Sequence, residues 1–111
     1  MTDPLLQRLN DERAVERLMT LYCRACDRVD AELLQSLWWP EAIVEHPPYH
    51  GPAKGFCEAA IAFLATNKSA LHQLGNMIVE VDGDHAHLEA YFTGWHRIPD
   101  RKSTRLNSSH T

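Results

Sequence analysis

A long hairpin of two strand-like segments is the feature that most restricts the fold of this chain. Residues 71–81 and 85–97 show the alternation of apolar and polar side chains that is typical of half-buried strands. The Asp82-Gly83-Asp84 tripeptide between them has the composition of a hairpin turn. Strands joined by so short a turn pair antiparallel, so we predict a fold built on an antiparallel sheet.

The alternation also predicts which side chains of the hairpin share a face. On the first strand, one face would combine apolar and polar groups, as a pocket wall does, and would carry His72, Leu74, Asn76 and Ile78. On the second strand, the drier even-numbered face, with Phe92 and His96, is assigned to the interior. A three-residue turn would place these two faces together, a two-residue turn would not, and a β-bulge could restore the match. The sequence leaves this register open.

Three helices are predicted before the hairpin. The first begins at Asp3-Pro4 or at Asn10, ends near residue 27, and buries a face spaced by three and four residues that contains Val15, Leu18, Met19, Tyr22, Cys26 and Val29. Asp30 is the expected N-cap of a short helix over residues 31–37, which Trp38-Trp39-Pro40 ends.

The stretch between the second helix and the hairpin is predicted to contain a strand, a loop and a helix. Residues 42–46 form the strand, and the Pro- and Gly-rich residues 47–52 form the loop. The third helix covers residues 55–66, with an inner side composed of Phe56, Ala59, Ala60, Phe63 and Leu64.

Composition indicates a single globular domain. The chain has 111 residues, of which 44% are hydrophobic and 23% charged. It has no apolar run near the roughly 20 residues of a membrane span, and its N-terminus lacks the pattern of a signal peptide, so we expect a cytoplasmic protein without membrane partners. Three cysteines, an odd number, argue against a disulfide framework and favour a packing role.

Residues 100–111 resemble the translation of a common sequencing adapter and show no periodicity. We therefore interpret them as a non-native tail and residues 1–99 as an incomplete domain. Leaving out the three basic residues and one acidic residue of the tail changes the net charge from −4 to −6. Such an acidic domain is a poor candidate for nucleic-acid binding.

The order of these elements resembles the SnoaL-like group of the nuclear transport factor 2-like superfamily over residues 5–99. The resemblance rests on the short helix that ends in Trp38-Trp39, the Pro/Gly loop, and a hairpin that contains His72-x-x-x-Asn76 and Val81-Asp82-Gly83-Asp84. It implies an α+β fold in which a curved antiparallel sheet wraps around three N-terminal helices to form a cone. Family members usually continue with further strands, which are missing here.

Within that superfamily the chain is most similar to scytalone dehydratase and hexachlorocyclohexane dehydrochlorinase, which use an Asp–His pair. Asp27, eleven residues before Trp38-Trp39, matches the catalytic aspartate, and His72 matches the catalytic histidine. His96 roughly matches a second pocket histidine, whereas Tyr22 replaces a lysine of the dehydrochlorinase. The resemblance implies a lyase or isomerase of dehydratase, dehydrochlorinase or cyclase type that needs no cofactor. Its substrate would be a small hydrophobic, aromatic or polyketide-like molecule.

The chemistry of an Asp–His pair is independent of the family. A neutral histidine, with a reference pKa of about 6.5, can take up a proton and return it, and a carboxylate on the other ring nitrogen fixes the tautomer. We hypothesise that His72 removes a proton and that Asp27 orients it. The residues expected to bind the substrate or polarise an oxygen are Tyr22, Asn76, His96, Phe92 and Trp38.

Other interpretations stay open. Asp27 could be a solvated carboxylate or a helix cap. Cys23-x-x-Cys26 has zinc-like spacing but lacks a second pair and fits helix packing, and His85-x-His87 fits a solvated hairpin tip better than a metal site, so no metal is predicted.

Three further assignments concern surfaces and partners. The cavity mouth could be edged by His46, Tyr49 and His50. A homodimer could form through the outer face of the sheet, where Tyr91 and Trp95 are expected. The function could also be non-catalytic, as a hydrophobic-ligand or subunit-binding domain, because β-subunits of ring-hydroxylating dioxygenases resemble the same fold.

Overall fold

The structure is a computed structural model that describes residues 3–99 and the backbone of residues 104–110. In these residues, three helices and five strands follow one another in the order α1 Pro4–Asp27, α2 Ala31–Ser36, β1 Ile43–His46, β2 Tyr49–Pro52, α3 Ala53–Ala65, β3 Ser69–Asp82, β4 His85–Pro99 and β5 Thr104–His110. The strands form two antiparallel sheets, β1-β2 and β3-β4-β5. The predicted α+β class, with helices preceding an antiparallel sheet, is confirmed. None of the helices in the described part is long and apolar enough to cross a membrane.

Helix α1 begins at the earlier of its two candidate starts. The Asp3 carboxylate accepts a hydrogen bond from the backbone N–H of Leu5 at 2.8 Å, and Pro4 occupies the first helical position, where its missing N–H costs nothing. The predicted buried face is only partly right, because Cys26 is buried but Leu18 and Val29 are exposed. Burial concentrates in the last turns of α1, against β3 and α2.

The junction between α1 and α2 is a tight turn that sets the position of Asp27. Asp27 is the last residue of α1, and Val29 has a φ of 53°, in the left-handed region that ends helices. The Asp30 carboxylate then caps α2 by accepting the backbone N–H of Leu33 at 3.0 Å. Asp27 therefore projects from a helix end fixed on both sides.

The core lies between the three helices and the β1-β2 hairpin. Its largest fully buried side chains are Leu34 on α2 and Cys57 on α3, and the cluster also contains Ala25, Cys26, Val44, Ala53, Phe56 and Leu64. Residues 49–52, expected to be loop, instead pair with β1 from Ile43↔Pro52 to His46↔Tyr49. Pro47 and Pro48 occupy the turn of this hairpin, and Pro52 lies at a strand end, so none of them interrupts the ladder.

The β3-β4 hairpin has a two-residue turn and a bulge. Gly83 and Asp84 form the turn between the paired Asp82 and His85, and Gly83 has a φ of 59°, which favours glycine. Farther along, the register changes by one residue between Leu74↔Phe92 and Met77↔Ala90, so that Gly75 and Asn76 together lie opposite Tyr91. The bulge restores the match of even-numbered positions that the turn alone would break.

The bulge also corrects the predicted face of β3. Beyond it, the side chains that share the inner face with His72 and Leu74 are Met77, Val79 and Val81. The prediction that Asn76 and Ile78 lie on this face is wrong, because one extra residue reverses the alternation. Both are exposed, Ile78 to 58%.

Strand β5 lies where no native element was expected. Its backbone pairs with β4 from Pro99↔Thr104 to Thr93↔His110. Without it, β4 would be an open edge, and the unpaired N–H and C=O groups of such an edge accept any extended segment. The assignment of residues 100–111 to a non-native tail stays a prediction, and positions 100–103 and 111 lie outside the described residues.

Candidate active site

Asp27 and His72 form a close contact between the end of α1 and β3. His72 Nδ1 lies 2.7 Å from Asp27 Oδ1, and the backbone N–H of His72 donates to the same oxygen at 2.9 Å. The side chains are 10% exposed for His72 and 21% for Asp27. One carboxylate oxygen therefore fixes both the ring of His72 and the strand that carries it.

This contact determines the tautomer of a neutral His72. A carboxylate only accepts hydrogen bonds, so Nδ1 carries the proton in the contact and Nε2 has the free lone pair. Nε2 is directed away from the carboxylate, and the ring lines a cavity. The arrangement can accept a proton from a molecule in that cavity, with the carboxylate stabilising the imidazolium that forms.

The cavity has a volume of about 530 Å³, within the roughly 300–1,000 Å³ of small-molecule sites. Both His72 and His96 line it, and much of the remaining wall is aromatic, with Tyr22, Tyr49, Phe56, Phe63 and Phe92. The α3 residues predicted as the inner side of that helix all line the cavity. A flat apolar molecule would find aromatic surface on several sides.

His96 shares the cavity with His72, which resolves the register that the sequence left open. The two ring centroids are 5.3 Å apart in an edge-on arrangement. His96 Nδ1 lies 3.0 Å from Nδ2 of Asn67. Burial and the neighbouring His72 lower the pKa of His96, and Asp27 opposes them. His96 is therefore a neutral partner of His72 at neutral pH.

Tyr22 lines the cavity, whereas Trp38 does not belong to its lining. Burial is the main cause that raises the pKa of the Tyr22 hydroxyl, with the thiol of Cys26 second, so the hydroxyl stays protonated. Trp38 packs behind the wall, with its ring edge-on to Tyr22 at 6.2 Å and to Phe56 at 6.0 Å. The prediction that Trp38 contacts the substrate is therefore wrong. Its large aromatic ring fills space behind the cavity wall and supports the residues that line it.

The other predicted site residues divide between the cavity and the surface. Phe92, His46 and Tyr49 line the cavity, but His50 is absent from its lining and pairs with the exposed Glu45 at 3.2 Å. Asn76, predicted to bind substrate, lies in the bulge with its side chain exposed on the opposite face of the sheet and does not line the cavity. Within the described residues, no group of three or more His, Cys, Asp or Glu side chains could hold a metal ion.

Sequence reasoning missed Asn67, which follows α3 and contacts His96. A single polar residue between a helix and a strand carries no local signal for such a contact. Cys26, predicted to be a packing residue, is 2% exposed and also lines the cavity.

The three thiols should react slowly in the folded protein. All three are buried, and burial raises the pKa of Cys57 and raises that of Cys23 to about 11 and of Cys26 to about 12. Because the thiolate is the nucleophile, we expect modification by Ellman's reagent at pH 8 to be at least ~100-fold slower than for a free cysteine, and fast in guanidinium chloride. Rapid release of one equivalent of chromophore from the native chain would contradict this.

The model of the SnoaL-like domain family matches residues 7–110. The chain belongs to the SnoaL-like domain family. No curated protein matches this SnoaL-like chain. Its resemblance to the nuclear transport factor 2-like superfamily is confirmed by this match and by solved structures of the same fold.

Three of these solved structures illustrate the likeness. One, named "Putative Scytalone Dehydratase", from Novosphingobium aromaticivorans DSM 12444, has a TM-score of 0.77 and 19% identity and covers 93% of this chain and 71% of its own. A nuclear transport factor 2-like superfamily protein from Salmonella enterica serovar Typhimurium LT2 has a TM-score of 0.75 and 17% identity, and the match covers 89% of this chain and 74% of that protein. LinA, a dehydrochlorinase, has a TM-score of 0.61 and 18% identity, and the match covers 96% of this chain and 89% of LinA. The SnoaL-like fold is thus shared with a group that includes lyases and isomerases.

Proposed function

We propose that this SnoaL-like protein is a lyase or isomerase that needs no cofactor and uses Asp27 and His72 to remove a proton from a small hydrophobic, aromatic substrate. The observation that carries the proposal is the 2.7 Å contact between His72 Nδ1 and Asp27 Oδ1, on a ring that lines an apolar cavity. The contact leaves Nε2 as a base beside bound substrate. General bases of this kind typically accelerate reactions by on the order of 10²–10⁴.

In this proposal each residue has one task. His72 Nε2 accepts the proton, Asp27 holds the ring and stabilises its positive charge, and the neutral His96 and Tyr22 donate hydrogen bonds to an oxygen of the substrate. Phe92 and the aromatic side chains of α3 hold the apolar part of the molecule. In an elimination the leaving group then departs, and in an isomerisation the proton returns at another atom.

Hydrogen exchange of a probe ketone tests the proton abstraction without knowledge of the natural substrate. 2-Tetralone has an aromatic ring and acidic hydrogens at the carbon between ring and carbonyl. In D₂O, we expect the protein to accelerate incorporation of deuterium at that carbon, followed by NMR. Binding of the ketone without acceleration over buffer would overturn the proposal.

A second candidate function is a non-catalytic domain that binds a hydrophobic ligand or a partner subunit. It is favoured by the cavity wall, which is largely aromatic and would hold an apolar ligand without Asp27 or His72. Binding that survives His72→Gln and Asp27→Asn, in a protein without exchange activity, would support this function.

The proposed homodimer would use the outer face of the sheet. Tyr91 is 70% and Trp95 37% exposed there, and Leu71, which pairs with Trp95, is 47% exposed. Aromatic side chains of this kind are enriched at interfaces. The dimer, like the absence of nucleic-acid and membrane partners, stays a prediction.

A further inference from the structure

Asn67 is fixed in place by the backbone on both sides. Its N–H donates to the carbonyl of Leu64 at 3.1 Å, at the end of α3. The next residue, Lys68, donates its N–H to the carbonyl of Arg97 at 2.8 Å, beside His96 on β4. The side-chain amide is therefore held against the ring of His96 by the connection between helix and strand.

The orientation of this amide determines which nitrogen of His96 carries the proton. Nδ2 of Asn67, a donor, lies 3.0 Å from His96 Nδ1, and Oδ1 of Asn67 is buried without a hydrogen-bond partner. In the orientation that the structure shows, the amino group of Asn67 faces the ring of His96 and the carbonyl group faces the buried side. His96 Nδ1 then accepts, and His96 Nε2 carries the hydrogen.

We infer that Asn67 is a positioning residue that holds His96 in the Nε2–H tautomer, so that the cavity offers a hydrogen-bond donor beside the base His72. This inference rests on the proposed function and specifies its substrate class, namely molecules that carry an oxygen acceptor close to the hydrogen that is removed. Ketones, enols and hydroxy ketones belong to this class, whereas hydrocarbons and haloalkanes without oxygen do not.

The two histidines are complementary because opposite partners hold their Nδ1 atoms. Asp27 accepts from Nδ1 of His72, which leaves Nε2 as an acceptor, while Asn67 donates to Nδ1 of His96, which leaves Nε2–H as a donor. The ring centroids are 5.3 Å apart. His96 also contacts the uncharged ring of Phe63, with centroids 5.6 Å apart. A substrate with a C–H bond next to a carbonyl group fits this pair, because its hydrogen can face the acceptor Nε2 of His72 while its oxygen faces the donor Nε2–H of His96.

The tautomers can be observed directly by NMR of the full-length chain labelled with ¹⁵N in its histidines. Long-range ¹H–¹⁵N correlations distinguish protonated from unprotonated ring nitrogens. We expect protonated Nε2 on His96 and protonated Nδ1 on His72 at neutral pH. A protonated Nδ1 on neutral His96 would overturn the inference, and this measurement requires no variant to fold.

The variant Asn67→Asp tests whether the tautomer of His96 determines which ligand the cavity prefers. A carboxylate can only accept, so it would draw the proton of His96 to Nδ1 and turn Nε2 into an acceptor. We compare the affinities of 2-tetralone and tetralin, the same skeleton without the carbonyl group, at pH 9, where the ring stays neutral beside the new carboxylate. The preference for the ketone should fall about five- to tenfold, the value of one hydrogen bond. An unchanged preference would contradict the inference.

Asn76→Asp is the matched control, because it makes the same chemical change on the exposed face of β3. It should leave the ratio of the two affinities unchanged, and an equal fall in this variant would overturn the assignment to Asn67. Neither readout depends on turnover. If NMR shows the expected tautomers but the protein does not accelerate hydrogen exchange, only the proposed function is contradicted. If the protein accelerates exchange but neutral His96 carries its hydrogen on Nδ1, only this inference is contradicted.

Discussion

His72→Gln is expected to reduce the rate of deuterium incorporation into 2-tetralone by on the order of 10²–10⁴. Glutamine can fill part of the space of the ring, but its amide cannot accept a proton at neutral pH. The cavity wall stays largely in place, so ketone binding should change far less than the rate. The measurement is the exchange rate at saturating ketone, which separates loss of chemistry from loss of binding.

Asp27→Asn should cause a loss of similar size for a different reason. The amide of asparagine can donate to Nδ1 of His72, which moves the proton of the ring to Nε2 and leaves no free base in the cavity. Residues that act as a unit are not additive, so the double variant should be no slower than the slower single variant. Independent losses that multiply would show that Asp27 acts separately from His72.

An exposed pair on the hairpin of β1 and β2 supplies matched controls for both changes. Glu45 and His50 lie 3.2 Å apart, with side chains 77% and 69% exposed. Glu45→Gln and His50→Gln repeat the same loss of a carboxylate and of an imidazole away from the cavity. Their exchange rates should equal that of the wild type, and a large fall in either would mean that the losses in His72→Gln and Asp27→Asn do not identify the base.

Much of the fold could be predicted from the sequence because its signals are local. The caps Asp3 and Asp30 bind backbone N–H groups two and three residues away, and the pattern of α3 needs only its own turns. The match of Asp27 and His72 to a family placed them in one site, although they are 45 residues apart and no local pattern predicts their contact. The structure contributes the shared oxygen and the tautomer that follows from it.

Two of the errors, at Asn76 and Asn67, have a common physical cause, which is contact between segments that are far apart in the sequence. The bulge at Gly75 and Asn76 depends on how β3 meets Tyr91 on β4, and strict alternation along β3 cannot reveal it. The contact of Asn67 with His96 likewise depends on the end of α3 meeting β4. Asn76 and Asn67 thus account for part of the difference between the predicted pocket and the observed cavity, and Trp38 and His50, which are absent from the lining, account for the rest.

Phe56→Ala is expected to lower the free energy of unfolding by about 3–5 kcal/mol, the usual cost of deleting a buried phenylalanine. Phe56 is 6% exposed, and its ring lies 6.0 Å from Trp38, 5.4 Å from His46 and 5.9 Å from Tyr49, measured between centroids. A domain of this size has only about 5–15 kcal/mol in total. Denaturation by urea, followed by tryptophan fluorescence, measures the change, and a loss below about 1 kcal/mol would contradict this packing role.

Leu34→Ala separates the two roles of Phe56, as core residue and as cavity wall. Leu34 is 0% exposed and belongs to the same core, but it does not line the cavity. It should cost about 2–5 kcal/mol of stability and leave the affinity for 2-tetralone unchanged in the folded protein. Phe56→Ala removes aromatic surface from the wall as well, so it should weaken ketone binding in addition. If Leu34→Ala weakened binding equally, the loss would reflect a loosened core, and the wall formed by Phe56 would have no separate part in holding the ligand.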